Sequence, residues 1–281
     1  MGMTSHYITV LDRELHYTQW GHGNAETIVM WHGLARTGRD FDHLAAALAN
    51  RYRVICPDTI GRGLSQWSPV PDAEYCLAFY ARLAAAFCEA LGIARMYWVG
   101  TSMGGSIGTL LASRDGGLLA GRITKLVLND NGPELAQAAI TRIRTYAGNP
   151  AAFDRVSELE AYFRTVYKPF SPLSDAEWTK LAETSVRRLP DGRVTPHYDP
   201  NMVRQFVNFP DDYSLWCQYD ALDIPVLVLR GAQSDLLLAD SVAEMKQRGP
   251  KASVAEIPGC GHTPSLNVPD QIDLIASFLD D

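Results

Sequence analysis

Gly100-Thr101-Ser102-Met103-Gly104 has the form G-x-S-x-G. It directly follows the apolar run Met96 to Val99 and opens a stretch with helical spacing. A serine on such a strand-to-helix turn presents its Oγ clear of the backbone, as a nucleophile elbow demands. The reason is steric. The turn strains the serine backbone, bulky neighbours two residues away would clash, and Gly100 and Gly104 remove the offending Cβ atoms. Gly105 leaves the helix room to approach the sheet, and the helix N-terminus favours negative charge at the serine. A serine hydroxyl is a poor nucleophile until a base takes its proton, so a histidine is required. The imidazolium in turn needs a carboxylate to orient and stabilise it. The chain offers seven histidines: His6, His16, His22, His32, His43, His197 and His262.

Other chemistries find less support. A phosphate-binding loop would need Lys where Ser106 stands. Gly61-Arg62-Gly63 lacks the third glycine of a dinucleotide fingerprint. No H-E-x-x-H, histidine cluster or EF-hand pattern occurs, so no metal and no cofactor is expected. The five cysteines, Cys56, Cys76, Cys88, Cys217 and Cys260, are odd in number and scattered, with no C-x-x-C. That argues against a disulfide framework or zinc site and for free thiols in a reducing cytosol.

The elements that would position these residues alternate in type. Tyr7 to Leu11 and Leu15 to Trp20 read as an antiparallel pair, and Thr27 to Trp31 as a buried strand. A helix follows over Phe41 to Leu48, a strand over Tyr52 to Cys56, and an Ala-rich helix over Ala78 to Leu91, ended by Gly92. Further strands are expected at Met96 to Val99, Ile123 to Leu128, Pro225 to Leu229 and Val254 to Ile257. Helices are expected at Ser106 to Ser113, Ser241 to Gln247 and Gln271 to Leu279. Strands and helices alternating at this spacing predict an α/β fold with a mostly parallel sheet covered on both faces. The stretch 133–222 breaks the pattern. It holds helical spacing and Pro-punctuated loops, no convincing strand, and nearly half of the aromatic residues. It is expected to be a helical insertion over the sheet edge.

With 281 residues, 47% hydrophobic and 20% charged, the chain is long and apolar enough for a large core, and disorder is excluded as its overall state. Its formal charge is -7, with no Lys/Arg run, so nucleic acid is not an expected partner. No apolar stretch approaches the roughly 20 residues of a spanning helix, and Met1 to Asp12 lacks the layout of a signal peptide. A cytoplasmic location and no membrane partner are expected. The sequence does not address oligomeric state.

The motifs together resemble those of α/β-hydrolase-fold serine hydrolases of the esterase and C–C hydrolase type. Besides the Ser102 pentapeptide, His32-Gly33-Leu34 resembles the family's H-G oxyanion motif, and Asp58 to Ser65 its D-x-x-G-x-G-x-S loop, with Arg62 where relatives often carry His. Asn129-Asp130-Asn131-Gly132-Pro133 sits where relatives leave the sheet for a lid. The resemblance covers nearly the whole chain and implies a sheet of about eight strands. It also implies a core domain over 1–132 and 223–281 and a helical cap over 133–222. Its chain order is nucleophile, acid, base. Only His197 and His262 follow Ser102, and His262 lies in the Gly-rich loop after the last strand, where the family places its base. For the acid, Asp235 follows the strand at Pro225 to Leu229 and is favoured. Asp130, after the preceding strand, is the alternative, and Asp223 lies at the wrong end of its strand. The oxyanion hole is expected from the backbone N–H groups of Leu34 and Met103. His32 is expected to fix its loop, and Asp58 to stabilise its turn.

The implied activity is hydrolysis, through an acyl-enzyme, of a carboxylic ester of a small or medium apolar molecule. C–C hydrolysis of a ring-fission β-diketone, cofactor-free perhydrolysis or haloperoxidase activity, and a ligand receptor on the same fold are the alternatives. The expected partner is a small-molecule ester or related carbonyl compound. Phe163, Phe170, Trp178, Phe206 and Trp216 are candidate pocket walls. Among the insertion's arginines, Arg142, Arg144, Arg155, Arg164, Arg187, Arg188 and Arg204 are candidate carboxylate anchors, with solvated helix faces the more ordinary expectation.

Overall fold

A computed structural model describes residues 2–167 and 171–281. Its strands in chain order are β1 (Thr4–Val10), β2 (Arg13–Trp20), β3 (Thr27–Trp31), β4 (Arg53–Pro57), β5 (Met96–Thr101), β6 (Ile123–Asn129), β7 (Val186–Arg188), β8 (Val194–Pro196), β9 (Val226–Gly231) and β10 (Ser253–Ile257). The helices are α1 (Asp42–Leu48), α2 (Pro71–Glu74), α3 (Leu77–Ala90), α4 (Met103–Ala112), α5 (Gln137–Ala147), α6 (Val156–Val166), α7 (Asp175–Thr184), α8 (Gln205–Asn208), α9 (Trp216–Asp220), α10 (Ala239–Met245) and α11 (Pro269–Asp280).

Eight strands form one sheet in the order β1-β2-β4-β3-β5-β6-β9-β10. The β1–β2 and β2–β4 pairs are antiparallel, and from β4 onward every pair is parallel. The strand period of two explains the layers. In β3, Val29 and Trp31 join one core with Leu83 and Phe87 of α3 and Ile107 and Leu111 of α4. Ile28 and Met30 face the other way, onto Leu44 and Leu48 of α1 and Ile275 and Leu279 of α11. Both faces of the strand are therefore apolar, as a buried parallel sheet requires. Trp31 and Trp98 stack from adjacent strands, with centroids 5.4 Å apart.

The register of the parallel strands brings their ends level. Trp31 lies beside Gly100, Thr101 beside Asn129, and Asn129 beside Leu229. The carboxyl ends of β3, β5, β6 and β9 thus form one rim, and the residues just beyond them share it. Between β6 and β9 the chain leaves the sheet to form α5 to α9. This stretch is not wholly helical: β7 and β8 pair as a short antiparallel hairpin. Each has only three residues, too short for alternation to register. The signal available was Leu189-Pro190-Asp191-Gly192-Arg193, a turn sequence between two short strands that each begin at a valine, Val186 and Val194. The cap has its own small core of Leu159, Phe163, Tyr167, Trp178, Ala182 and Val194. No helix among the described residues is long and apolar enough to cross a membrane.

Candidate active site

Ser102 sits between β5 and α4 with φ 50°, ψ -118°, a backbone conformation that L residues rarely adopt. The glycines around it are forced by contact. A Cβ at Gly100 would lie 2.3 Å from the Gly104 carbonyl oxygen, and one at Gly104 would lie 1.9 Å from that of Trp31. The elbow is closed by Ser102 N–H donating to Asn129 O at 3.0 Å. Ser102 is 8% exposed and lines a cavity of about 170 Å³ under the cap, which His262 also lines.

His262, in the loop after β10, meets a carboxylate through Nδ1, but not the one the sequence favoured. Its partner is Asp130, with Nδ1 2.7 Å from Oδ2. Asp130 directly follows β6 with φ 49° and is completely buried. Its carboxylate also accepts from Gly231 N–H at 2.8 Å and from the Ser234 hydroxyl at 2.5 Å. Three donors on a buried carboxylate both satisfy its charge and fix its direction. Asp235 is half exposed and forms an ion pair with Arg142 on the cap. The turn after β9 explains the difference, because it aims Ser234 inward at Asp130, and the next side chain then points out to solvent. Both aspartates follow strand ends on the same rim, so strand position alone did not separate them.

His197, the other histidine beyond Ser102, is buried. Its Nδ1 accepts from Gly63 N–H at 2.7 Å, and burial foremost holds its pKa down at about 3. This contact joins the cap to the loop after β4. His32 is also buried, with its pKa lowered to about 4, chiefly by desolvation. Its Nε2 accepts from Thr59 N–H at 2.8 Å, which leaves Nδ1 to donate to Gly33 O at 2.6 Å. That carbonyl belongs to the same peptide plane as the Leu34 N–H. Arg36 N–H also donates to it, at 3.2 Å. Arg62, where relatives often carry His, donates from Nε to Leu34 O at 2.9 Å. The loop bearing Leu34 is therefore held from three sides. It borders the serine closely, since a Cβ on Gly33 would lie 3.5 Å from Ser102 Cβ. Met103 is the first residue of α4.

Asp58 does not enter the cavity. It accepts from His16 Nδ1 at 2.7 Å, Gly38 N–H at 2.8 Å and Leu64 N–H at 3.0 Å. Burial works against its charge, but the His16 contacts and the other donors outweigh it and lower its pKa.

Four of the five aromatic residues expected to wall the pocket are elsewhere. Phe163 and Trp178 belong to the cap's own core. Phe206 stacks on Tyr213 at 5.6 Å. Trp216 packs under Arg248, with the guanidinium 4.1 Å from the ring centre, and its Nε1 donates to Glu134. Phe170 lies outside the described residues. The cap instead lines the cavity with Ile143, Tyr146, Tyr167, Leu173 and Leu181, and the loop after β3 contributes Arg36. Helical spacing identifies a buried stripe but not whether a cavity or a neighbouring helix covers it. No group of three or more His, Cys, Asp or Glu residues able to hold a metal occurs among the described residues.

The profile of the alpha/beta hydrolase fold family matches residues 26–268. The chain is 40% identical over 273 residues to the 3-hydroxybutyrate-oligomer hydrolase of Cupriavidus necator, covering 93% of this chain and 91% of that one. It is 24% identical over 261 residues to the 2-(acetamidomethylene)succinate hydrolase of Mesorhizobium japonicum, covering 92% and 89%. The crystal structure of an alpha/beta hydrolase from Novosphingobium aromaticivorans superposes with a TM-score of 0.87 at 31% identity, over 99% of this chain and 98% of that one.

Proposed function

The chain belongs to the alpha/beta hydrolase fold family, and from that premise we propose that it is a serine esterase acting through Ser102, His262 and Asp130. Ser102 Oγ attacks the ester carbonyl while His262 Nε2 takes its proton. The tetrahedral oxyanion is met by the backbone N–H groups of Leu34 and Met103. Collapse breaks the C–O bond, and the same proton passes from His262 to the departing alcohol. Water then repeats the sequence on the acyl-enzyme and releases the acid. Asp130 holds the imidazole in the tautomer with Nδ1 protonated and stabilises its positive form.

The observation that carries this reading is the 2.7 Å contact of His262 with buried Asp130, on the cavity that a strained Ser102 also lines. A pure ligand receptor would have no use for a base held by a triply bonded carboxylate. For the substrate, the relative named for 3-hydroxybutyrate oligomers supports a short ester of a hydroxy acid, and a cavity of this size suits a short chain.

The test is labelling by a fluorophosphonate probe, with Ser102→Ala as control, together with hydrolysis of 3-hydroxybutyrate dimer and p-nitrophenyl butyrate. Labelling confined to the wild type, with ester turnover, is expected. An unlabelled wild type, or turnover only of a ring-fission diketone or of peroxide with a carboxylic acid, would overturn the esterase reading.

A further inference from the structure

We propose that Asn129 is a positioning residue: its side chain ties the serine elbow to the histidine loop and so sets the distance at which His262 meets Ser102. This deepens, and rests on, the esterase reading above. Asn129 is the last residue of β6, directly before Asp130, and is 1% exposed. Its Nδ2 donates to Thr101 Oγ1 at 3.1 Å and to Pro264 O at 2.9 Å. Thr101 immediately precedes the nucleophile, and Pro264 lies two residues beyond the base. The two protons of one amide nitrogen are thus divided between the segments that carry the two partners of the proton transfer. The main chain of the same residue adds a third tie, because its carbonyl accepts from Ser102 N–H at 3.0 Å.

The histidine loop needs such a tie. Residues 262–266 belong to no strand or helix, so no ladder sets their place on the rim. Asp130 orients the imidazole through Nδ1, but that contact does not fix how far the loop stands from β5. Other bonds of the loop lead elsewhere. Cys260 O accepts from Gln233 N–H at 2.8 Å, in the turn after β9. Leu266 N–H donates to Gln271 Oε1 on α11 at 2.8 Å, and Ser265 N–H to Ser171 Oγ on the cap at 3.3 Å. The Thr263 hydroxyl also donates to Pro264 O, at 3.2 Å, but from within the loop itself. The Asn129 bond is the one that leads to the elbow.

The chemistry of the spot requires an amide. Pro264 O can only accept, so it must face an N–H, and an aspartate of the same shape would set oxygen against oxygen. The arrangement also has a cost. Asn129 Oδ1 is buried and meets no donor among the described residues. A buried acceptor without a donor destabilises the fold, and a leucine of similar size would avoid that. Stability alone therefore does not explain an asparagine here. Asn131, two residues on, makes the contrast. Its Nδ2 donates to Ser106 Oγ in α4 at 2.9 Å, and its side chain packs where a Cβ on Gly105 would fall. That bond clamps a helix to the sheet, whereas the Asn129 bonds join the two halves of the relay.

The experiment measures kcat, KM and melting temperature of Asn129→Leu with p-nitrophenyl butyrate, together with its rate of fluorophosphonate labelling. Leucine keeps the bulk while removing both donated bonds and the orphaned oxygen. With the tie lost, kcat is expected to fall about tenfold to a hundredfold, the scale for a misplaced catalytic group. Labelling should slow in parallel, since it too needs His262 to activate Ser102. KM should change by less than about threefold, because no group that binds substrate is removed, and the melting temperature should not fall. A kcat within about twofold of wild type, whatever the melting temperature, would make Asn129 a structural residue and overturn the proposal. Should Asn129→Leu fold poorly, Thr101→Val decides, since it breaks the elbow arm alone. A loss in kcat of about threefold to tenfold with KM unchanged supports the tie, and an unchanged kcat overturns it. A wild type that neither labels nor turns over ester would remove the esterase, and the tie with it. A wild type that does both, beside an unimpaired Asn129→Leu, would remove the tie alone.

Discussion

Two histidine–aspartate pairs of the same length lie in this molecule. His262 and Asp130 are 2.7 Å apart, and so are His16 and Asp58. The second pair even continues to a serine, with His16 Nε2 2.7 Å from Ser5 Oγ. Their surroundings separate them. Ser5 lies within β1, the edge strand of the sheet, and is exposed. Ser102 sits at φ 50° at the mouth of a helix, on a cavity. Asp58 spends its other lone pairs on Gly38 and Leu64, tying two loops together. Asp130 uses its own on Gly231 and Ser234, which aim it at His262. A dyad distance therefore does not define a site. The strained elbow, the cavity and the main-chain donors beside it do, and the same pair of residue types elsewhere is a structural clamp.

The largest expected effect falls on the elbow side. Ser102→Ala or His262→Ala should lower kcat for p-nitrophenyl butyrate by about 10⁴-fold or more, as loss of one member of a triad does. Retention of a tenth of wild-type turnover by either variant would put the chemistry elsewhere.

The structural histidines should show themselves in acid. His32 and His197, with ordinary values of 6.5, are held at about 4 and about 3 by burial. Below pH 6.5 the unfolded chain takes up these protons and the folded chain does not. Stability is therefore lost as pH falls from 6.5 to about 4 through His32, and on to about 3 through His197. The depressed Asp58 adds its own loss at the acid end, where its carboxylate protonates. The total is on the order of several kcal/mol. Thermal melts between pH 7 and pH 4 measure it, and an unchanged Tm across that range would contradict the buried neutral state.

Breaking the clamp comes next. Asp58→Asn should destabilise the fold by about 3 kcal/mol, the scale for removing one partner of a buried pair, read as a lower urea midpoint. The smallest effect should be Ser5→Ala, with kcat/KM within twofold of wild type. A large loss of activity there would make the second pair functional.

The same contrast shows what the sequence could reveal. The elbow at Ser102 was marked by Gly100 and Gly104, whose absent Cβ atoms the turn requires, whereas His262 and the loop at His32 to Leu34 were marked only by the glycines beside them in the sequence. The sheet was legible because both faces of its strands are apolar. The acid was not. Asp130 and Asp235 both follow strands on one rim, and the choice rests on which way a four-residue turn faces, set by the Ser234 and Gly231 donors. The pocket walls were misread for a related reason. Phe163 and Trp178 have the spacing of a buried stripe, and the stripe faces the cap's own core. The β7–β8 hairpin was too short to show a period, and its Pro-Asp-Gly turn was its one visible mark.

The most direct test compares Asp130→Asn with Asp235→Asn in kcat/KM for ester hydrolysis, with folding verified by circular dichroism. Asp130→Asn should lose about 10³- to 10⁴-fold, because an amide no longer fixes the imidazole tautomer. Asp235→Asn, which gives up only an exposed ion pair with Arg142, should stay within a few-fold of wild type. The reverse pattern, with Asp235→Asn inactive and Asp130→Asn close to wild type, would contradict the relay described here.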